Sequence, residues 1–158
     1  MSDARFEDGD DKSLRLLAEN SEDLQVVSSL VQEAVCSGSE MKWRRSARQF
    51  ASLLHRFRWE DYATAERIGR AAERVQSLLV IDDAMQVATQ GVQPGDADMV
   101  LSLLSIAFEP GEDGAGAMIL TFAGDGALKV EVEAINVTLQ DVTRPYVAPS
   151  GKSPQHPE

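Results

Sequence analysis

The sequence predicts an α+β domain in which one N-terminal helix packs on a curved, mainly antiparallel sheet of about six or seven strands. Apolar residues between positions 24 and 34 recur at helical spacing. Leu128, Val130 and Val132 alternate with charged residues, as in a strand with one wet face. A glycine-rich turn at 124–126 precedes them, which is typical of a hairpin. The pattern leaves open whether the sheet closes into a barrel.

The chain of 158 residues suits a single domain of ordinary size. Residues 1–12 are polar and include five acidic side chains, so we expect a disordered N-terminus. Residues 144–158 are rich in proline, and we expect a disordered tail there. The single α+β domain is therefore predicted over residues 13–143.

The N-terminal elements are a short strand and the helix. Residues 14–17 form a short apolar stretch that favours a strand. Ser21 is a suitable N-cap, and two acidic residues follow it where the helix dipole stabilises negative charge. The apolar stripe then predicts a helix over 22–35.

Residues 40–59 are predicted to form a hairpin whose two faces differ in character. The odd positions are apolar, and we expect them to turn inward: Met41, Trp43, Ala51, Leu53, Phe57 and Trp59. The even positions are cationic, and we expect them to turn outward: Lys42, Arg44, Arg48, Arg56 and Arg58. This arrangement needs an odd loop such as 45–47, because a two-residue loop would place Trp43 opposite Phe50 among the arginines.

The middle of the chain is ambiguous, and its last third is clearer. Residues 63–81 fit a helix period and also, in part, a strand period. The glycine-rich segment 111–116 is acidic, so we interpret it as a hairpin loop and not a phosphate cradle. After Ala134 the apolar phase shifts by one residue, which indicates a bulge.

Three segments resemble an uncharacterised bacterial family, domain of unknown function 2948. They are RQFASLLHRFRWE at 48–60, LSLLSIAFE at 101–109 and LKVEVEAINVTLQD at 128–141. The resemblance spans about residues 14–143. It implies strands over 74–90 and 98–109, which resolves the ambiguity in the middle of the chain. It implies no activity and no functional residues.

The charge is uneven along the chain. The net charge is −11, which opposes binding to nucleic acid and to acidic membranes. Nine basic and only four acidic side chains nevertheless lie between Lys42 and Arg74. The basic segment is either neutralised within the molecule or an anion or partner site. The single cysteine and the absence of an export signal predict a cytoplasmic protein.

The sequence offers little catalytic chemistry. His55 shares a face with Leu53 and Phe57, and we expect a buried or half-buried histidine with a hydrogen-bond partner and not a catalytic base. Cys36 is expected to be a small apolar filler near the end of the helix. No spacing of histidine, cysteine or carboxylates indicates a metal site, and no motif indicates a cofactor.

We therefore expect a protein without enzymatic activity that acts as an interaction or accessory domain. Its predicted contact is the even face of the hairpin: Lys42, Arg44, Arg48, Arg56 and Arg58. The expected partner is an acidic protein surface or a second copy of the chain. The alternative is a sensor that binds a small anionic ligand through the same side chains.

Overall fold

A computed structural model describes residues 13–147, which form eleven strands and two α-helices. The helices are α1 (Ser21–Leu30) and α2 (Trp59–Arg67). The strands are β1 (Arg15–Ala18), β2 (Ala34–Ser37), β3 (Met41–Arg44), β4 (Gln49–Phe57), β5 (Glu73–Ile81), β6 (Ala84–Gln90), β7 (Val100–Pro110), β8 (Gly116–Phe122), β9 (Ala127–Val132), β10 (Val137–Asp141) and β11 (Tyr146–Val147).

The strands form one antiparallel sheet in the order β1-β10-β5-β4-β2-β7-β8-β9-β6. Strand β3 pairs with β4 and β11 pairs with β5 beside this path. The α+β class and the antiparallel sheet are confirmed. The expected count of six or seven strands is wrong, the sheet does not close into a barrel, and α2 is an additional helix. Neither helix is long or apolar enough to cross a membrane.

Helix α1 is shorter than predicted. Its N-cap is Asn20, whose side chain accepts a hydrogen bond of 2.8 Å from the Asp23 amide. The helix ends at Leu30 because the chain enters β2 only four residues later. Leu24 and Val27 bury the predicted stripe in the apolar core, where α1 packs against β7. The predicted segment 31–35 therefore belongs to a turn and to β2.

The register of the predicted hairpin differs from the expected one. Arg44 pairs with Gln49, so the loop has four residues and Trp43 lies opposite Phe50. Arg48 ends this loop in the left-handed conformation with φ of 56°. The odd positions of β3 therefore share a face with the even positions of β4. The expected outward orientation of the cationic even positions is wrong for Arg56 and Arg58, which are buried.

Residues 73–90 form a bent ribbon that pairs with residues 127–141. Strands β5 and β6 meet at a corner, where Asp83 has φ of 57°. Opposite this corner, the four residues 133–136 separate β9 from β10. Val132 and Val137 are both buried and lie five positions apart, so the predicted phase slip is present. It spans four residues and is therefore wider than a one-residue bulge. The strands implied over 74–90 are two strands joined at this corner.

The C-terminal boundary lies further along the chain than the predicted domain end. Tyr146–Val147 forms β11 and pairs with the start of β5. The expectations for residues 1–12 and for 148–158 lie outside the described residues.

Candidate functional site

The five cations predicted to form one face occupy two different environments. Lys42, Arg44 and Arg48 are exposed at the hairpin formed by β3 and β4. Arg56 is 0% exposed and Arg58 is 4% exposed. The structure therefore divides the predicted contact into an exposed group near the loop and a buried group at the far end of β4.

Arg56 lies in a cage of acceptors at the inner face of the sheet. Its terminal nitrogens donate to both oxygens of Glu60 at 2.8 and 2.9 Å, and to Asp141 at 3.0 Å. Its Nε donates to the Ser77 hydroxyl at 2.9 Å, and that hydroxyl donates to Asp141 at 2.7 Å. Every nitrogen of the guanidinium has a protein acceptor, so this arginine has no nitrogen left for an external anion.

Arg58 belongs to a second part of the same ionic cluster. Its guanidinium contacts Glu73 at the start of β5 and lies 3.5 Å from Asp61 of α2. Arg70 donates to Asp61 at 2.6 Å. These contacts join the end of β4, helix α2 and the start of β5. We interpret the buried cluster as a structural element that holds these three elements together.

The electrostatics of the cluster favour its charged form. Burial by itself would raise the pKa of Glu60, but hydrogen bonds and the charge of Arg56 outweigh it and lower that pKa. Burial would likewise lower the pKa of Arg56, and its bonds to Glu60 and Asp141 raise it instead. Both groups are therefore ionised near pH 7.

The exposed cations form what we term the basic hairpin, which comprises Lys42, Arg44, Arg45 and Arg48. Arg48 approaches Glu133 to 2.5 Å, but both side chains are about half exposed, so this pair contributes little to stability. Lys42, Arg44 and Arg45 form no ion pair with any residue between 13 and 147. Strand β3 carries two of them and, within residues 13–147, pairs with β4 alone.

The expectation for His55 is confirmed. Its Nε2 lies 3.0 Å from Glu40, and its side chain is 30% exposed. Glu40 also accepts a hydrogen bond of 2.8 Å from the Ser37 amide. Burial would raise the pKa of Glu40, but the contacts with His55 and Ser37 outweigh it and lower that pKa.

Cys36 is buried in the apolar core, as expected for a filler, although it lies in β2 and not beside a helix end. Burial raises the pKa of its thiol to about 11. Val35 is the partner of His55 across β2 and β4, so Cys36 points to the opposite face from that histidine. The two side chains cannot act together as a nucleophile and a base.

The described part of the chain contains no cluster of three or more histidine, cysteine or acidic residues arranged to hold a metal ion. One open groove of about 340 Å³ lies beside Met85, Lys129 and Glu131. Another of about 250 Å³ lies beside α2, between Tyr62 and Arg70. The glycine-rich segment 111–116 is the hairpin loop between β7 and β8, as predicted.

The carboxylates that hold Arg56 and Arg58 were not predicted from the sequence. Glu60 lies four residues after Arg56, and this spacing would have been a signal if a helix had been predicted at 59–67. Asp141 lies 85 residues away and could be found only by predicting the sheet order. The strand period gave a second signal that Arg56 is buried, because its even position in β4 places it on the same face as the apolar residues Phe50 and Leu54.

Comparison with known proteins gives one match. A family model described as "Protein of unknown function (DUF2948)" matches residues 14–156. No curated protein and no solved structure matches the chain.

Proposed function

The chain belongs to the family described as protein of unknown function DUF2948. From the charges on its own surface, we propose that it is a non-enzymatic interaction domain of the bacterial cytoplasm. The basic hairpin is the proposed contact. It is narrower than the five-residue face predicted from the sequence, because Arg56 and Arg58 are held by internal carboxylates.

One observation carries the proposal. Lys42 and Arg44 lie on a strand with a single neighbour, and no residue between 13 and 147 pairs with them or with Arg45. In a chain with a net charge of −11, such a cluster is a local exception that attracts an acidic surface while the rest of the molecule repels it. Charge complementarity of this kind increases the association rate and fixes orientation.

The arrangement of His55 and Cys36 also favours a binding role over a catalytic one. They project from opposite faces of neighbouring strands, and the raised pKa of the cysteine makes its thiol a poor nucleophile at neutral pH. A binding role needs neither group.

The proposal is tested with a defined acidic probe. Binding of a poly-glutamate peptide of about ten residues is measured by calorimetry for the wild type and for a variant with Lys42, Arg44 and Arg45 changed to glutamine. We expect the affinity of this variant to fall at least about tenfold, because three unpaired cations near the peptide are removed.

The matched control changes three exposed cations elsewhere, Arg15, Arg67 and Lys129, to glutamine. It has the same net charge as the hairpin variant, and we expect its affinity to stay within about twofold of the wild type. Equal losses in both variants, or no binding by the wild type, would overturn the proposal.

The second candidate is a sensor of a small anionic ligand. This sensor would bind its ligand through the exposed cations alone. Arg56 cannot contribute, since its guanidinium already donates to acceptors within the protein. Titration of the wild type with inorganic pyrophosphate separates the two candidates. We expect weak and salt-sensitive binding, whereas saturable binding tighter than that of the peptide would favour the sensor.

A further inference from the structure

Strand β6 is a sheet edge without the usual protection against pairing. It has seven residues, Ala84–Gln90, and contains no charged residue and no proline. Among the described residues, the other strands with a single partner are shorter. Strands β1 and β3 have four residues each and carry Arg15, Lys42 and Arg44, and β11 has two residues. Proteins normally keep edge strands short or charged because the unpaired backbone groups recruit other strands.

Part of the β6 edge is regular and open. Its pairing with β9 shifts between Ala84 and Gln86 and is continuous from Gln86 to Gln90. The Ala84 amide already donates to the Arg48 carbonyl at 2.9 Å, so the open edge begins after it. Gln86, Ala88 and Gln90 are exposed. The available ladder is therefore five residues long and is centred on Ala88.

The net charges at the two ends of this edge have opposite signs. The bond between Ala84 and Arg48 places the four cations of the basic hairpin beside the first residue of β6. Asp82, Asp83 and Glu133 lie at the same end, so the net charge there is only +1. At the other end, Gly91 approaches the turn that carries Asp125, and Gln90 pairs with Ala127 just after that turn. An antiparallel partner strand of the same sequence would bring each basic end beside an acidic end, twice in one interface.

We propose that the chain forms a two-fold symmetric dimer through antiparallel pairing of its β6 edge with the β6 edge of a second copy. The two-fold axis lies midway between Ala88 of one copy and Ala88 of the other, so Gln86 of each copy lies opposite Gln90 of the other. A closed symmetric pair of this kind uses the same patch on both copies. The proposal rests on the proposed function in one respect, because the basic hairpin supplies half of the charge complementarity.

The strength of the dimer follows from its size. Five paired residues a side form an interface at the small end of specific contacts, so we expect a dissociation constant of about 1–100 µM. Sedimentation equilibrium over this concentration range should show a mass that rises from 17.2 kDa toward twice that value. High salt should weaken the association, because it screens the contacts at both ends.

The register is tested by two double variants. Gln86→Lys with Gln90→Lys places like charges opposite each other twice, and we expect a dissociation constant about tenfold weaker. Gln86→Lys with Gln90→Glu places opposite charges together, and we expect affinity within about threefold of the wild type. Gln25→Lys with Gln140→Lys, at two exposed positions away from β6, controls for the added charge and should leave the affinity unchanged.

A monomer at every concentration would overturn the inference, as would a dimer that the two-lysine β6 variant leaves intact. Pairing in another register would appear as equal losses in both β6 variants, and it would overturn the assignment of the axis to Ala88. The two-lysine β6 variant keeps the basic hairpin and should bind poly-glutamate like the wild type. Failure of the dimer with intact peptide binding would therefore leave the proposed function standing.

Discussion

Replacement of Arg56 with methionine should lower the free energy of unfolding by about 3–5 kcal/mol at pH 7. Methionine retains much of the apolar volume and removes the charge from a side chain that has no exposed surface. The substitution leaves Asp141, whose side chain is 3% exposed, without its cation. Glu60 is 29% exposed and can turn toward water, so Asp141 accounts for most of the loss.

Urea denaturation of the wild type and the variant measures this loss directly. The matched control is Arg48→Met, which removes an arginine from an ion pair whose side chains are 50% and 54% exposed. We expect the control to change stability by no more than about 0.5 kcal/mol, because water replaces the lost partner. An Arg56→Met loss no larger than the control would refute the assignment of a structural role to the cage.

Two further predictions follow from pKa shifts. The pKa of Glu60 is lowered from 4.5 in the fold, so its stabilising contribution is complete above pH 4.5 and is lost as the pH falls through the lower, folded value. Glu60→Gln should therefore be less stable than the wild type at pH 7 and should lose less stability between pH 7 and about pH 3, as measured by urea denaturation. The pKa of about 11 for Cys36 predicts that iodoacetamide alkylates the native protein at pH 8 at least about a hundredfold more slowly than the urea-unfolded protein, and comparable rates would contradict its burial.

Local patterns were sufficient to predict much of the sheet. Strict alternation identified β9, and the turn at 124–126 identified its connection to β8. The half-buried state of His55 also followed from its neighbours in β4. Each of these features depends on residues close in sequence, where the side-chain period of two decides the outcome.

The hairpin register could not be predicted locally, because both faces of β4 carry apolar residues. The odd set contains Leu53 and Phe57, whereas the even set contains Phe50 and Leu54 together with Arg56. An arginine argues for an exposed face only when no carboxylate meets it inside the fold. Here the carboxylates come from a helix and from a strand remote in sequence, so the parity of the hairpin is decided by tertiary contacts.

A double variant that removes the charges of both Arg56 and Asp141 tests whether this buried ion pair itself stabilises the fold. In Arg56→Met with Asp141→Asn, the asparagine oxygen can accept the bond of 2.9 Å that the Leu14 amide now donates to Asp141. Its amide nitrogen can donate to Ser77, which loses its bond from Arg56. We therefore expect the double variant to recover at least about 2 kcal/mol of the single variant's loss in urea denaturation. Additive losses would contradict this expectation and would mean that the attraction between the ions itself stabilises the fold.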